Sequence, residues 1–385
     1  MECAYDFIFC RLSLLPPFWQ ISKNGSTMKI CVFLPNWIGD ACMATPALRA
    51  IASLPDLEDL TLVGRPGPLS LLENEPYARA RIPFKPRSKL ESVHGRRTLA
   101  KELRRRRFDT ILLMPNSLSS AVIAWVAGIP RRIGFARDGR SWLLTDAIPL
   151  HSPSSKDGHT RIRNWRESAA IDYYLRLAAE LGCSPVDRSM ELSVSDEDKE
   201  LSRALLGKIG FSRDKQLVVM NNSSASAASR LWPIPYVVDA CSKLAKDGVQ
   251  VLIHASPNDR ATADALAATI SHPNVQSMGK MDDLPLGLSR GVLSMADAVV
   301  STDSGVRHMA VAMNRRVVSL FGPTKSSLTT TYNIPELLIE NSLHCRPCLK
   351  DTCTLKHHRC MSELSTDRVL QAVRTVLARS MQYAA

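Results

Sequence analysis

Short, continuous apolar runs alternate with amphipathic stretches along most of the chain, and the rhythm occurs twice. In the first half "KICVFLP" (29–35) predicts a buried strand, "NWIGD" (36–40) a loop, and "ACMATPALRAIASL" (41–54) a helix. "LTLVG" (60–64) is a second strand; a long basic helical segment then ends near Arg107, followed by the strand "DTILLMPNS" (109–117) and the helix "SSAVIAWVAG" (119–128). The acidic stretch "SVSDEDKE" (193–200) predicts a hinge or linker helix. Beyond it come "QLVVMNNS", "VQVLIHAS", "NVQSMG", "DAVVST" and "RVVSLFGPT" as strands, separated by the helical "IPYVVDACSKLAKDG", "DRATADALAATI", "LPLGLSRGVLSMA" and "GVRHMAVAMN". Continuous apolar strands between amphipathic helices predict parallel sheets covered on both faces. The fold class expected is therefore α/β, two doubly wound Rossmann-like domains with ligands at the carboxyl ends of the strands and in the cleft between them. We expect a leader over 1–27, an N-terminal domain over 28–190, a linker over 191–215 and a C-terminal domain over 216–385.

Three strand-to-helix corners carry chemistry. At 302–305, Thr302, Asp303, Ser304 and Gly305 open a helix whose first amides lack internal partners, which suits an anion, and Gly305 allows close approach. His308 lies one turn further on. Asp303 or Ser304 acting as a plain helix cap is the alternative. The second corner, "NNSSASAASRLWP" (221–233), has Ser223, Ser224 and the cation Arg230, a composition that accommodates phosphate, or else a flexible surface loop. At the third, "PNWIGD" (35–40), Asp40 is a cap or a general base, and Gly39 leaves room beside it. A dinucleotide GxGxxG and a P-loop are absent from the sequence, which disfavours nicotinamide and P-loop chemistry. The DxD pattern "DED" (196–198) falls in the acidic stretch, away from the corners.

Composition sharpens this picture in three places. The 385 residues carry a net charge of +12, concentrated between Arg79 and Arg107, where twelve Lys and Arg face only Glu91 and Glu102. Such a segment suits a polyanion, and Arg104, Arg105, Arg106 and Arg107 are candidate contacts to an anionic acceptor or lipid leaflet. Only Phe84 and Phe108 accompany it, so nucleic acid is disfavoured. No run approaches the roughly 20 apolar residues of a membrane span, so a soluble or peripheral protein is expected. Ten cysteines without a secretory pattern suggest a reducing compartment. Residues 1–27 fit neither a signal nor the alternation, so Met28 is the expected start and the leader is expected to be dispensable. Cys345, Cys348, Cys353 and Cys360 are dense enough for a structural tetrahedral zinc site, with free thiols or a redox pair as the alternative.

"MKICVFLPNWIGDACMATPALRAI", "LLMPNSLSSAVIAWVAGIPRRIGF", "SRLWP" and "VVSTDSGVRHMAVAMNRRVVSLFGPT" occur in this order between Met28 and about Leu377. Together they resemble the ADP-heptose:lipopolysaccharide heptosyltransferases of glycosyltransferase family 9, and the "PNS…AGIPRRIGF" stretch is most similar to the heptosyltransferase II branch. The resemblance implies a GT-B fold with an N-terminal acceptor domain and a C-terminal ADP-heptose domain. It also implies an inverting, metal-independent transfer of heptose to the heptosyl-Kdo2-lipid A core at the cytoplasmic face of the inner membrane. Asp40 matches the family's base, and Thr302, Asp303, Ser304, Gly305 and His308 its nucleotide-sugar corner. Asp259 matches an acidic residue near the ribose, and Asn116 falls on the acceptor side. The chain departs from the family at Arg230, where a Lys is usual, and at Ser223-Ser224, where Pro-Gly is usual. The first-heptose transferases and other ADP-sugar enzymes share the resemblance. A non-enzymatic polyanion- or zinc-binding protein is the competing class.

Overall fold

The computed structural model describes residues 27–84, 89–149, 168–184, 187–224, 227–332 and 336–381; the expected leader over 1–27 lies, but for Thr27, outside them. Two six-stranded parallel sheets form the frame. The first contains β1 (Met28–Phe33), β2 (Leu57–Gly64), β3 (Ala80–Pro83), β4 (Thr110–Leu113), β5 (Arg131–Phe135) and β6 (Asp146–Ile148) in the order β3-β2-β1-β4-β5-β6. Its helices are α1 (Ile38–Met43), α2 (Thr45–Ala52), α3 (Pro66–Leu71), α4 (Lys89–Arg106), α5 (Leu118–Val126) and α6 (Ala170–Ala179).

After α7 (Asp196–Lys208) the second sheet is built from β7 (Leu217–Asn221), β8 (Gln250–Ile253), β9 (Val275–Ser277), β10 (Ala298–Thr302), β11 (Val317–Phe321) and β12 (Glu336–Glu340). Its order, β12-β11-β10-β7-β8-β9, is the first sheet's order read from the other edge. The helices are α8 (Ile234–Lys246), α9 (Arg260–Ile270), α10 (Leu286–Met295), α11 (Gly305–Ala312), α12 (Arg359–Ser362) and α13 (Thr366–Met381). In each sheet the winding reverses beside the first strand, between β1 and β4 and between β7 and β10. That reversal opens a crevice at the carboxyl ends of those strands.

The strands are as apolar as they must be to lie under helices on both faces: every residue of β4, β7, β10 and β11 is buried. The helices show the complementary pattern. In α8, Val237, Ala240, Cys241, Leu244 and Ala245 are the buried residues, spaced to form one stripe. Buried Trp232, just ahead of α8, donates its indole N–H to the Leu364 carbonyl at 2.8 Å, tying the C-terminal α13 region to that layer.

The acidic stretch is a docked helix, not a solvated linker. Ser195 and Asp198 form a reciprocal capping box that starts α7. Asp198 also accepts from Arg290 of α10 (Nε to Oδ2, 2.7 Å), while Arg290, 1% exposed, reaches Glu73 at 2.6 Å and the Ser70 carbonyl at 2.6 Å in the first domain. The chain just before α7 is stitched to both units: Leu192 N–H donates to the Ala312 carbonyl at 3.0 Å and Arg49 pairs with Glu191 at 2.7 Å. Among the described residues no helix is long and apolar enough to cross a membrane.

Helix α10 packs on α7 through glycine. A Cβ on Gly291 would fall 2.0 Å from the Asp198 carbonyl oxygen, whereas Gly207, on the exposed side of α7, has nothing within 4 Å. Gly291→Ala should therefore destabilise the protein by about 1–3 kcal/mol through overpacking. Gly207→Ala should stabilise it by about 0.5–1 kcal/mol, since only helix propensity changes there. Denaturant melts of both variants check this pair, and equal shifts would contradict the close packing.

Candidate active site

The three sequence corners meet where the two sheets' crevices face each other. β1 leads through residues 34–37 into α1, β10 through Asp303 and Ser304 into α11, and β7 into the loop bearing Ser223 and Arg230. Helices α1 and α11 touch: a Cβ on Gly39 would lie 2.8 Å from His308 Cδ2, and one on Gly305 would lie 3.1 Å from Ile38 Cβ. The room beside Gly39 is thus occupied by the opposite domain's His308, not left for a substrate as the sequence suggested. Only small residues allow this approach.

On the second domain's side, the corner is held by polar side chains, among them buried Asn221, Ser301 and Thr302. Asn221 Nδ2 donates to Ser301 Oγ and Ser304 Oγ, both at 2.9 Å, and Asn221 Oδ1 accepts from Ser223 Oγ at 2.9 Å. Thr302 Oγ1 donates to the Ser223 carbonyl at 3.1 Å, so the β7 and β10 loops are locked together. Ser304 occupies the cap position of α11 with extended backbone but makes no side-chain cap bond, and neither does Asp303. The first amides of α11 therefore remain free to take an anion. Arg230 donates to the Asp303 carbonyl at 3.1 Å and stands 3.7 Å from its carboxylate, which brings a cation to those amides.

Behind the corner lies Arg307, fully buried. Its guanidinium sits 3.6 Å from the Asp303 carboxylate and is held by Glu336 (Nη2 to Oε2, 2.9 Å), Ser319 Oγ (3.2 Å), Thr329 O (3.0 Å) and the face of Phe321. It also donates to His308 Nε2 at 3.4 Å. A guanidinium can only donate, so Nε2 accepts and the ring proton resides on Nδ1. Burial, aided by the charges of Arg307 and Arg230, pushes His308 well below the usual histidine range, which keeps the ring neutral. Nδ1–H is buried and has no hydrogen-bond partner among the described residues.

On the first domain's side, Asp40 is half-buried at the third position of α1. Burial raises its carboxyl above the usual range, the Tyr174 hydroxyl (donating to Oδ1 at 3.1 Å) opposes the rise, Asp303 adds to it, and Arg230 pulls down. These influences come from both domains, so Asp40, Asp303 and Arg230 share one electrostatic environment. Tyr174 belongs to α6, which the sequence reading passed over; "AIDYYLRLAA" carries a strong amphipathic pattern that would have revealed it. Trp37, the residue before α1, is 53% exposed and offers a flat apolar surface beside Asp40.

Asn116 lies at the carboxyl end of β4, the strand next to β1. It exchanges hydrogen bonds with the Tyr173 hydroxyl (2.7 Å) and accepts from Arg140 at 3.1 Å. Arg140 is fully buried and also donates to the carbonyls of Phe135 (3.2 Å) and Pro115, fixing the "PNS" loop. Sequence reasoning missed it because an arginine in "ARDGRS" reads as surface.

Other expected residues are not gathered here. Asp259 precedes α9, after β8 on the far side of β7, and accepts from Ser256 Oγ at 2.6 Å. Ser224 accepts from Ala227 N–H at 3.1 Å within its own loop. Arg104 to Arg107 end α4 and feed the amino end of β4, because a crossover helix runs antiparallel to its strands; this is the sheet edge opposite Asp40. There Arg104 caps the last carbonyls of α5 (Ala127 O, 3.4 Å), and Arg105 and Arg106 pair with Glu102 at 2.9 and 2.8 Å. These four arginines thus stand at the end of the sheet away from Asp40. In the expected zinc segment, no three His, Cys, Asp or Glu side chains among the described residues stand in metal-holding geometry, although Cys345, Cys348 and Cys353 all act on the Cys360 thiol. Cys345, Cys348, Cys353 and Cys360 are free thiols, from exposed Cys348 to buried Cys360. Nor is "DED" a free metal-binding pair, since Asp196 joins Lys199 and Asp198 joins Arg290.

Comparison with known proteins agrees with this geometry. The chain is 24% identical over 359 residues to lipopolysaccharide heptosyltransferase 2 of Salmonella typhimurium, covering 91% of this chain and 99% of that one. The solved structure of Escherichia coli ADP-heptose lps heptosyltransferase II superposes with a TM-score of 0.74 at 22% identity, covering 92% of this chain and all of that one. A family 9 glycosyl transferase from Veillonella parvula superposes with a TM-score of 0.77 at 17% identity over 92% and 98% of the two chains. Both structures share the two-domain GT-B architecture described above. The model of glycosyltransferase family 9 (heptosyltransferase) matches residues 96–359, so the chain belongs to that family and is an enzyme of glycosyl transfer.

Proposed function

We propose that this enzyme transfers L-glycero-D-manno-heptose from ADP-heptose to the heptosyl-Kdo2-lipid A inner core of lipopolysaccharide, with inversion and with Asp40 as the general base. One observation carries the reading: the Asp40 carboxylate, its pKa held up by burial, stands on a helix that touches the helix whose amino terminus is flanked by the Arg230 cation. In the proposed reaction the acceptor hydroxyl attacks the anomeric carbon from the first domain's side as Asp40 takes its proton. The bond to the diphosphate breaks on the opposite side. Charge developing on the leaving ADP is met by the free amides of α11, by Arg230 and by the Nδ1–H of His308. Those donors exist before the substrate arrives and need no reorganisation. Trp37 supports an acceptor sugar packed against the first domain. The acceptor is lipid-anchored, so we place the reaction at the cytoplasmic face of the inner membrane. Exposed Trp125 and Trp142, together with the basic α4, support peripheral contact with its anionic leaflet.

The deciding experiment incubates the protein with ADP-heptose and either Kdo2-lipid A or heptosyl-Kdo2-lipid A, following ADP release and product mass. Turnover with the heptosylated acceptor alone is expected. Turnover with Kdo2-lipid A alone would make this a first-heptose transferase, and none with either would overturn the reading.

Asp40→Asn preserves size and removes the base, so kcat should fall at least ~100-fold while ADP affinity is kept. A near-normal kcat would move the base elsewhere. The pH profile should have its acid limb above the ordinary carboxylate range, because activity needs ionised Asp40 and burial favours the protonated form. Tyr174→Phe removes a hydrogen bond that stabilises the ionised form, so the limb of kcat/KM should move to higher pH. A limb that stays put or moves down would show that Tyr174 does not tune Asp40. Trp37→Ala should raise the acceptor KM by roughly 10-fold, in line with the loss of a large aromatic contact, and leave the donor KM unchanged. The reverse pattern would assign Trp37 to the donor.

A further inference from the structure

The cysteine-rich segment has no part in the reaction described so far, yet it holds the donor loop. Ser229, immediately before Arg230, is 4% exposed, and every one of its polar groups is taken by that segment. Its N–H donates to the Asp351 carbonyl at 3.0 Å, its Oγ donates to the Lys350 carbonyl at 2.5 Å, and its own carbonyl accepts from His358 Nε2 at 2.7 Å. A carbonyl cannot donate, so Nε2 of His358 carries a proton in this arrangement.

His358 is itself constrained. Its backbone is left-handed (φ 48°), uncommon for a residue with a side chain, and its N–H donates to Cys353 Sγ at 3.4 Å. The segment is anchored in turn to the carboxyl ends of β11 and β12. Leu349 N–H donates to the Pro323 carbonyl at 3.0 Å, and Arg346 pairs with Glu340 at 3.0 Å and donates to the Gly322 carbonyl. A continuous path of hydrogen bonds thus runs from the second sheet through the cysteine-rich segment to the backbone of the residue preceding Arg230. The loop bearing Arg230 is rich in Ser and Ala and has little side-chain bulk of its own to fix it. A loop left free would have to be ordered when the donor binds, and the affinity would fall by that cost.

We propose that His358 and Ser229 are positioning residues that aim Arg230 at the diphosphate of the sugar-nucleotide donor, so that the cysteine-rich segment sets donor affinity. The inference rests on the reading of Arg230 as the cation that meets the leaving diphosphate.

The test measures ADP binding by calorimetry, and steady-state kinetics with ADP-heptose, on the full chain. Four variants are compared: His358→Ala, His358→Gln, Arg230→Gln and the His358→Ala/Arg230→Gln pair. Losing one hydrogen bond should raise the ADP Kd and the donor KM about 3–10-fold in His358→Ala, with the acceptor KM essentially unchanged and any fall in kcat no larger than that of Arg230→Gln. His358→Gln keeps an N–H donor at similar reach and should recover most of the affinity. In the Arg230→Gln background, His358→Ala should add almost nothing, because both act through one cation. An unchanged ADP Kd in His358→Ala, or its full effect persisting without Arg230, overturns the proposal. If Arg230→Gln alone leaves ADP binding intact, the reading of Arg230 fails first and the proposal falls with it. Should His358→Ala fold poorly, Ser229→Ala loses only the Oγ bond and carries the same test. A smaller rise confined to the donor supports the proposal, and an unchanged ADP Kd overturns it.

Discussion

The donor corner depends on Arg307. A fully buried guanidinium is tolerable only where carboxylates and carbonyls surround it, and here Glu336, Asp303, Ser319 and Thr329 do so. Burial alone would raise Glu336, but the Arg307 charge and the hydroxyls of Ser319 and Thr331 outweigh it and hold the carboxyl below its usual range. Removing one member of such a pair typically costs about 3–5 kcal/mol, because the other is stranded without a partner. What the network contributes is therefore position more than net stability. It fixes the Asp303 carboxylate, adds to the burial that keeps His308 neutral, and ties β10, β11 and β12 to the helix that opens at Gly305.

From that fixed point the catalytic geometry follows. The unpartnered amides of α11 belong to a helix tied down by the Arg307 contacts, and Asp40, the proposed base, belongs to a helix that touches it through Gly39 and Gly305. Because both glycines lack a Cβ, Asp40 comes within the electrostatic reach of Asp303 and Arg230, which act on its carboxyl in opposite senses. The two domains are joined elsewhere by Arg290 and by the passage before α7. Contact at the site thus adds to an interface already fixed further back.

The sequence made the frame legible because buried parallel strands have a simple signature. "QLVVMNNS", "DAVVST" and "RVVSLFGPT" are continuous apolar runs ended by small polar residues, and each is a strand with a loop at its carboxyl end. The same signature pointed to Asp40, Arg230 and the 302–305 corner, which the structure brings to the carboxyl ends of strands. Short or less apolar strands such as β3 and β6 have no comparable run. Tyr174 escaped notice because its role comes from a helix 134 residues away from Asp40 in sequence. The cysteine spacing suggested a metal; the four thiols lie near enough for Cys345, Cys348 and Cys353 each to act on Cys360, and backbone carbonyls of the same segment hold the Arg230 loop.

The charge count misled for a reason that applies beyond this chain. A net charge of +12 reads as a cationic surface, yet Arg140, Arg290 and Arg307 are all at most 1% exposed. Each tethers a functional loop or a domain junction: Arg140 the "PNS" loop, Arg290 the α3–α7–α10 junction, Arg307 the donor corner. Arg140 meets only carbonyl, amide and hydroxyl groups, and burial accordingly pushes its pKa down. The two that meet carboxylates stand where strands or helices from distant parts of the chain converge. Arginine suits this work because its fork of five donors can satisfy several acceptors at once while spanning two elements. Even Arg104, at the edge of the basic helix, spends its guanidinium on the last carbonyls of a neighbouring helix. Part of the positive charge is therefore structural, and among the arginines of the three corners Arg230 is the one whose position depends on how its loop is held.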